Sequence, residues 1–357
     1  MFEQVVAALE VGDLIRAQQL LSRWRQQSSR DPWQWLALGR YQEANQQWAS
    51  AETTYRRLLQ WAQQPRLVAQ VRQGLERVQR AVAEKQQQAL EQARQQPGSH
   101  EAALLVLEPS QGDARQAAIA GLAQVMQLDA YSAGLRLSNQ AWRIFRVGSA
   151  GDMLYYSQAL QQQQTPAFVI RLTDIQAVQV FRVNYWQALS PRATVVCQNT
   201  AQQLGQITFD WTEVQQQVIG LLPVYESVVD LDPRGRLRRK QSTQDYAEVI
   251  DLHLYHRRCV LRVCDRTYQF RRGTDTPATA LPELTTSRMQ WNQLRQELTQ
   301  RITGPCWNDF AKFGDSALEY LDLLPKFNPN LHIPGARNDS WSAAFHLYSS
   351  LHFLRHR

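Results

Sequence analysis

The stretch DPWQWLALGRYQEANQQWASAETTYRRLL, residues 31–59, decides the organisation of the N-terminal third of the chain. It combines helix-forming residues with large aromatic side chains. Pro32 marks the start of a helix, because proline suits a first helical turn. Leu14 recurs as Trp48 at a spacing of 34 residues. A spacing of this length predicts a repeated helix-turn-helix unit, in which each copy buries its apolar face against the next.

The second copy resembles the tetratricopeptide repeat family. Trp35, Leu38 and Gly39 match its W-x-x-L-G signature, and Ala51 and Tyr55 match the small and aromatic positions of its second helix. The resemblance implies helix pairs that stack into a solenoid. It also implies that the groove of the solenoid binds a protein partner, while the signature residues themselves form the packing.

The resemblance is weaker on both sides of these positions. Gln42 stands where the family usually has an aromatic residue, and the closing proline, Pro65, comes late. Residues 67–93 keep a helical period but lose the signature. A further helical pair is predicted at 101–107 and 114–128. Together these segments predict an all-α, tetratricopeptide-like domain over residues 1–130.

The second half of the chain is rich in short β-branched and aromatic runs, which predict strands. Amphipathic helices predicted at 211–222 and 287–302 share an apolar stripe 80 residues apart. We therefore expect an α+β multidomain chain with two tandem antiparallel β modules, 131–223 and 224–304, each closed by a C-terminal helix. The modules resemble pleckstrin-homology or GRAM-type domains. The predicted strands are 141–147, 153–157, 167–172, 175–183, 193–197, 206–210, 224–231, 246–255, 258–265 and 267–271.

Residues 305–357 are predicted to form a helical C-terminal extension that ends in a helix over 341–355. Apolar residues cover more than half of the circumference of this helix, so it must pack against something. Packing on the chain's own modules is the favoured interpretation. The alternative is a helix that binds a partner or a second copy of the chain. Its contact residues would be Trp341, Phe345, Tyr348 and Leu351, beside His352 and His356.

Residues 249–264 form the richest polar segment, a predicted hairpin. One face would carry Asp251, His253 and Arg262, together with Tyr255, Arg258 and Cys264. Acid, histidine and thiol groups on one face suggest nucleophilic catalysis. No feature orders them into a nucleophile and its base, so we favour a ladder of solvated cross-strand pairs, with Asp251 paired to Arg262.

Other chemistry finds little support in the sequence. Cys259 and Cys264 point to opposite faces of one strand, so they cannot bind the same zinc ion. The chain has no phosphate-binding glycine loop and no G-x-S-x-G motif. We therefore predict no catalytic residue, no metal ligand and no cofactor.

The run Arg234, Arg236, Arg238, Arg239 and Lys240 is the densest positive segment. It is either a solvated loop or a contact for an acidic protein surface or an anionic membrane. The whole chain has a net charge of +7, yet only four of its 39 basic residues are lysines. Such a bias is often genomic, so nucleic acid is not favoured as a partner.

These observations predict a non-enzymatic adaptor or assembly factor, a chaperone-like scaffold. The glutamine-rich, lysine-poor style resembles cyanobacterial tetratricopeptide proteins, some of which help assemble photosynthetic or other large complexes. The alternatives are an anion-binding or peripheral membrane protein and, more remotely, an enzyme of unrecognised type. The absence of a signal peptide and of a long apolar run predicts a cytoplasmic protein, with peripheral membrane contact left open. Self-association is also left open.

Overall fold

The computed structural model describes residues 1–28, 31–231, 237–273, 286–333 and 340–356. The chain divides into two compact units, Met1–Gln95 and Gln96–Arg357. The first unit is built from helices, and the second combines helices with two sheets. The predicted α+β class is thus confirmed. No helix in the described part of the chain has both the length and the apolar composition that a membrane crossing requires.

Local capping explains where the helices of the first unit begin. The Asp13 carboxylate accepts the backbone N–H of Arg16 at 2.9 Å. The Asp31 carboxylate accepts that of Trp33 at 2.9 Å, and Pro32 occupies the first helical turn as predicted. The helices are α1 (Phe2–Glu10), α2 (Leu14–Gln27), α3 (Pro32–Ala44), α4 (Trp48–Trp61) and α5 (Pro65–Arg94).

Tyr55 of α4 lies at the centre of this unit and is fully buried. Its ring packs against Gly39 of α3 and Gly74 of α5. A Cβ atom added at Gly39 would lie 2.3 Å from Tyr55 Cε1, and one added at Gly74 would lie 2.7 Å from Cζ. Both distances are shorter than carbon atoms tolerate. The two glycines therefore make room for the aromatic ring that joins three helices.

The predicted helix over 67–93 is confirmed as part of α5, which runs unbroken for 30 residues. Its buried side chains lie in the first half and end at Val78, whereas Val82 is 42% exposed. Only the first half of α5 therefore contributes a packed apolar face to the core of this unit.

The second unit contains ten strands and seven helices within its described residues. They are β1 (Ala102–Leu107), α6 (Gly112–Met126), α7 (Ala130–Arg136), β2 (Arg143–Ser149), α8 (Ala150–Gln162), β3 (Ala167–Arg171), α9 (Leu172–Gln176), β4 (Gln179–Ala188), β5 (Ala193–Gln198), β6 (Leu204–Phe209), β7 (Gln216–Leu231), β8 (Leu237–Leu254), β9 (Cys259–Cys264), α10 (Ser287–Arg301), β10 (Cys306–Trp307), α11 (Phe310–Ala317) and α12 (Ser340–Arg355).

Three strands form an antiparallel sheet in the order β2-β1-β3. The helix predicted at 101–107 is wrong, because these residues form β1, the central strand. A short apolar run buried on both faces has no period that separates helix from strand. The strand predicted at 153–157 is also wrong. Ser149 caps the start of α8 by accepting the N–H of Asp152 at 3.2 Å, and the helix continues through this segment.

The other seven strands form one mixed sheet in the order β10-β7-β8-β9-β4-β5-β6. The prediction of two tandem antiparallel modules is therefore wrong, since β8 and β9 from 224–304 and β4, β5 and β6 from 131–223 belong to a single sheet, and β7 spans the predicted boundary. β4 and β9 pair in parallel at the join. The strand predicted at 267–271 consists of turns instead. The order of the strands in the sequence suggested two separate sheets. The parallel pairing of β4 with β9 joins them into one.

The closing helix predicted at 211–222 is wrong as well. Residues 211–213 form a single 3-10 turn, and β7 begins at Gln216. Val214, Val218 and Leu222 are buried as the pattern required. They are spaced by four residues, and an even spacing places side chains on one face of a strand as readily as on one face of a helix. The helix predicted at 287–302 is confirmed as α10.

Helix α12 forms the centre of the second unit, and the 305–357 segment is thus no peripheral extension. Its apolar side chains share one core with Leu104 and Phe168 of the three-stranded sheet and with Val218 and Leu222 of the seven-stranded sheet. A second core, on the other side of the large sheet, holds α10. Residues 96–130, predicted to belong to the helical domain, supply β1 and α6 to this unit.

Candidate functional site

The polar face of the predicted hairpin is the first candidate site. Asp251 pairs with Arg262 in the strand register, as predicted. The expectation of a solvated ladder is wrong, because Asp251, His253 and Arg262 are each 0% exposed. Helix α12 lies against this face and excludes water from it. The alternation of the strands could be predicted from the sequence, but the element that covers this face could not.

Hydrogen bonds compensate both charges of the Asp251–Arg262 pair. Arg262 Nε donates to Asp251 Oδ1 at 2.8 Å and Nη2 donates to Oδ2 at 2.6 Å. Its Nη1 donates to the carbonyl of Pro329, and the guanidinium carbon lies 5.1 Å from the ring centroid of Phe345. A buried charge needs this degree of compensation, which a bidentate pair provides. The pair joins the sheet to α12 and leaves no charge for a substrate.

A hydrogen-bonded chain runs from Trp307 through Gln216 and His253 to Ser349 of α12. Trp307 Nε1 donates to Gln216 Oε1 at 3.1 Å, because an indole N–H can only donate. The Gln216 amide nitrogen therefore faces His253 Nδ1, at 2.7 Å. Nδ1 accepts this bond, so the imidazole proton is on Nε2, which lies 2.9 Å from Ser349 Oγ.

This polarity is opposite to that of a nucleophilic serine site. A base must accept the serine proton, whereas His253 donates its own proton to Ser349. Burial and, secondarily, the charge of Arg262 lower the pKa of His253 to about 3. The histidine is therefore neutral at physiological pH and has no free nitrogen for the serine proton. The chain of four side chains fixes α12 on the sheet.

His352 of α12 has a different environment, between two indole rings. The ring centroids of Trp142 and Trp307 lie 4.0 and 4.7 Å from that of His352. Neither nitrogen of His352 has a hydrogen-bond partner among the described residues. Burial, with His253 and His356 nearby, lowers the pKa of His352 to about 2. His352 is therefore neutral near pH 6.5.

The four predicted contact residues of the C-terminal helix belong to the chain's own core. Phe345, Tyr348 and Leu351 are each 0% exposed. Trp341 is half-buried, and its indole N–H donates to Tyr225 Oη at 3.1 Å. The favoured interpretation, packing on the chain's own modules, is the arrangement that the structure has. Phe345, Tyr348 and Leu351 therefore offer no surface to a partner.

The sequence reading missed the buried polar residues of α12 as a group. Five of its serine and histidine residues are at most 3% exposed. The only signal was their position within a helix whose apolar residues cover most of its circumference, because such a helix is expected to be buried on most sides. These residues are Ser342, His346, Ser349, Ser350 and His352.

Three of the four cysteines, Cys197, Cys259 and Cys264, are buried like small apolar side chains, whereas Cys306 is exposed. Cys259 and Cys264 pack into different cores, so the prediction that they point to opposite faces is confirmed. Burial raises the pKa of Cys259 to about 11 and that of Cys264 to about 12, which keeps both thiols protonated. Among the residues that the structure describes, no group of three or more His, Cys, Asp or Glu side chains is arranged to hold a metal ion.

Only part of the basic run lies within the described residues. Arg234 and Arg236 lie outside the described residues. Arg238, Arg239 and Lys240 belong to β8, and their backbone pairs with residues 228–230 of β7. Whether this run contacts an anionic partner stays a prediction.

A second candidate site lies on the first unit, where α1, α3 and α5 form what we call the odd-helix layer. Helix α3 contacts both α1 and α5, and α2 and α4 pack against this layer. Arg77 of α5 makes two hydrogen bonds of 3.0 Å to the carboxylate of Glu43 on α3. The guanidinium of Arg40 lies 5.3 Å from the ring centroid of Phe2 on α1. Charged side chains therefore cross the layer from helix to helix.

The comparisons with known proteins found no family model, no curated protein and no solved structure that matches this chain.

Proposed function

We propose that the protein is a non-enzymatic adaptor or assembly factor whose first unit binds a protein partner. The odd-helix layer is the binding surface in this proposal, and the second unit is a rigid scaffold that carries it. The order of the helices is the observation that supports the proposal. Alternate helices lie side by side, and the helices between them pack outside, which is how repeat solenoids build an extended surface.

The resemblance to tetratricopeptide repeats adds to this support. Glu43 and Arg77 are 34 residues apart and meet on adjacent odd-numbered helices, the contact that a repeat of this period makes between equivalent positions. Gly39 and Gly74 lie on these same two helices, and both make room for the ring of Tyr55 between them. In that family the layer of first helices lines the groove in which partners bind.

The chemistry of the second unit is consistent with a scaffold. Its most reactive combination, Ser349 with His253, has the proton on the wrong atom for catalysis. Its buried ion pair is fully satisfied. Both arrangements resist change, and neither leaves a group free to act on a substrate. They are expected in a unit whose task is to hold its shape.

The test compares two double variants with the same change in charge. Arg40→Gln with Arg77→Gln alters the odd-helix layer. Arg56→Gln with Arg57→Gln alters exposed positions on α4 and is the control. Partners would be captured from source cells on the full chain, identified by mass spectrometry and then measured as purified proteins.

We expect the layer variant to weaken binding about tenfold or more, with the α4 variant close to the unmodified chain. Thermal melts must show that both variants remain folded. Equal affinities for the two variants would contradict the assignment of the surface. Failure of the unmodified chain to bind any purified candidate would contradict the adaptor proposal.

A second candidate function is contact with an anionic surface through β8. Beyond Pro223, β7 pairs with β8 alone among the described strands, so the two strands leave the sheet as a two-stranded ribbon. Arg238, Arg239 and Lys240 lie on that ribbon. Changing all three to serine should weaken flotation with vesicles that contain phosphatidylserine and should flatten its salt dependence. Unchanged flotation would leave the ribbon without this role.

A further inference from the structure

A cavity of about 330 Å³ opens in the second unit between the end of α7, the start of β2 and helix α11. This volume is near the lower end of the range of about 300–1,000 Å³ found for small-molecule sites. The site is remote in sequence from the odd-helix layer and belongs to the other unit. It therefore requires an explanation that is independent of the adaptor proposal.

Apolar side chains line part of the cavity. They are Trp142 and Leu137, which are buried, and Leu135, which is 60% exposed. The indole of Trp142 is held in place, since it stacks on His352 at 4.0 Å and meets Phe168 edge to face at 5.0 Å. A fixed aromatic ring beside two leucines is suited to an apolar or aromatic group of a ligand.

Four charged side chains also line the cavity, and two of them neutralise each other. Arg143 Nη2 lies 2.8 Å from Glu319 Oε1, and its Nη1 donates to the carbonyl of Leu135 at 2.9 Å. These bonds fix the guanidinium and satisfy the Glu319 carboxylate. Arg143 and Glu319 thus close one end of the cavity and hold β2 against the residues that follow α11.

The other two charges have no partner. Lys312 and Asp315 line the cavity, and neither forms an ion pair with another described residue. They are three residues apart on α11, so they lie on the same side of the helix, one turn from each other. An ammonium and a carboxylate in this arrangement present one charge of each sign, close together, beside an apolar wall.

We propose that this cavity binds a free α-amino acid with an apolar or aromatic side chain. The ligand carboxylate pairs with Lys312, and its ammonium pairs with Asp315. The ligand side chain lies on Trp142 and the two leucines. A ligand with both charges satisfies both groups at once, whereas a simple anion or cation leaves one of them unpaired in the site.

The test is isothermal titration calorimetry of the full chain with leucine, phenylalanine and tryptophan. Phenylalaninamide lacks the carboxylate, and N-acetylphenylalanine lacks the ammonium. We expect each analogue to bind about two- to fivefold more weakly than phenylalanine, because each loses one ion pair with an exposed side chain. Absence of binding by all three amino acids at millimolar concentration would overturn the proposal.

Two exposed substitutions locate the contacts. Lys312→Gln should abolish the preference for phenylalanine over its amide while keeping the preference over the N-acetyl derivative. Asp315→Asn should do the reverse. Lys326→Gln and Asp322→Asn alter exposed residues outside the cavity and serve as controls. If the control variants change the preferences as much as the cavity variants do, or if neither cavity variant changes them, the site is not the one described here.

Discussion

The two units of this protein reach a buried core by different routes. In the first unit, Tyr55 meets Gly39 and Gly74, which are its near neighbours along the chain. In the second, Leu104 and Leu351 share one core although nearly the whole unit lies between them in sequence. A core made of local contacts follows the local pattern of the sequence. A core made of contacts between residues far apart in sequence depends on which segments meet. The local pattern of the sequence does not predict which segments these are.

The ion pairs of the two units show the same difference. Arg77 and Glu43 lie on the surface, with side chains 46% and 13% exposed, whereas both members of the Arg262–Asp251 pair are 0% exposed. Water screens the first pair and has no access to the second. The second unit therefore relies on exact pairing of charges, and the first relies on the shapes of its side chains.

Removal of residues 340–357 should unfold the second unit. The deletion takes α12 from between the two sheets and exposes apolar side chains of both, so the product should aggregate. Hydrogen exchange followed by mass spectrometry should show lost protection in peptides from 96–339 and retained protection in peptides from 1–95. Retained protection in both regions would mean that α12 is dispensable, contrary to its place in the core.

Acid should destabilise the second unit and leave the first almost unchanged. His253, His346 and His352 have pKa values lowered to about 3, 3 and 2, chiefly by burial. The unfolded chain binds a proton at each of these histidines near pH 6.5, whereas the folded unit does not. The free energy of unfolding of the second unit is therefore highest above that pH and falls progressively below it. Each histidine contributes about 1.4 kcal/mol per pH unit in this window.

Residues 1–95 contain no histidine, which makes the first unit an internal control. Protection measured between pH 7.5 and pH 5, corrected for the intrinsic exchange rate, should fall only in peptides from the second unit. His352→Phe should reduce the slope, because the ring still fits between two indoles and no longer titrates. Parallel pH profiles in the two units would show that the buried histidines do not control acid stability.

Replacing the arginine of each ion pair should have unequal consequences. Arg262→Met leaves Asp251 buried and unpaired, which should cost about 3–5 kcal/mol. Arg77→Met removes an exposed pair and should cost about 1 kcal/mol or less. Denaturant unfolding measures both. The double variant Arg262→Met with Asp251→Leu should recover much of the lost stability, because it leaves no unpaired charge in the core. If the double variant is as unstable as Arg262→Met alone, the unpaired charge of Asp251 is not the cause of the loss.

The smallest of the four effects concerns shape in the first unit. Ala51→Trp forces a large ring into a fully buried position of α4 and should cost about 1–3 kcal/mol. Ala49→Trp makes the same change at an exposed position of the same helix. Thermal unfolding should separate the two variants clearly. Equal melting temperatures would remove Ala51 from the close contact between helices.

Some of the polar site could be predicted from the sequence and some could not. Strand alternation placed Asp251 opposite Arg262, because pairing register follows from the period of two. The same alternation could not show that α12 would cover the pair. Nor could it bring Ser349, which lies 96 residues away, to His253. The candidate cavity was missed for the same reason, since Trp142 and Lys312 belong to segments that only the fold brings together.

The sequence by itself determined the helices of the first unit, the apolar face of α10 and the need for the last helix to pack. Each of these follows from the local period and from capping residues. Only the tertiary structure decided that residues 214–222 enter a strand and that β4 pairs in parallel with β9. A spacing of four suits both helix and strand, and the choice between them depends on whether a neighbouring strand or water satisfies the backbone.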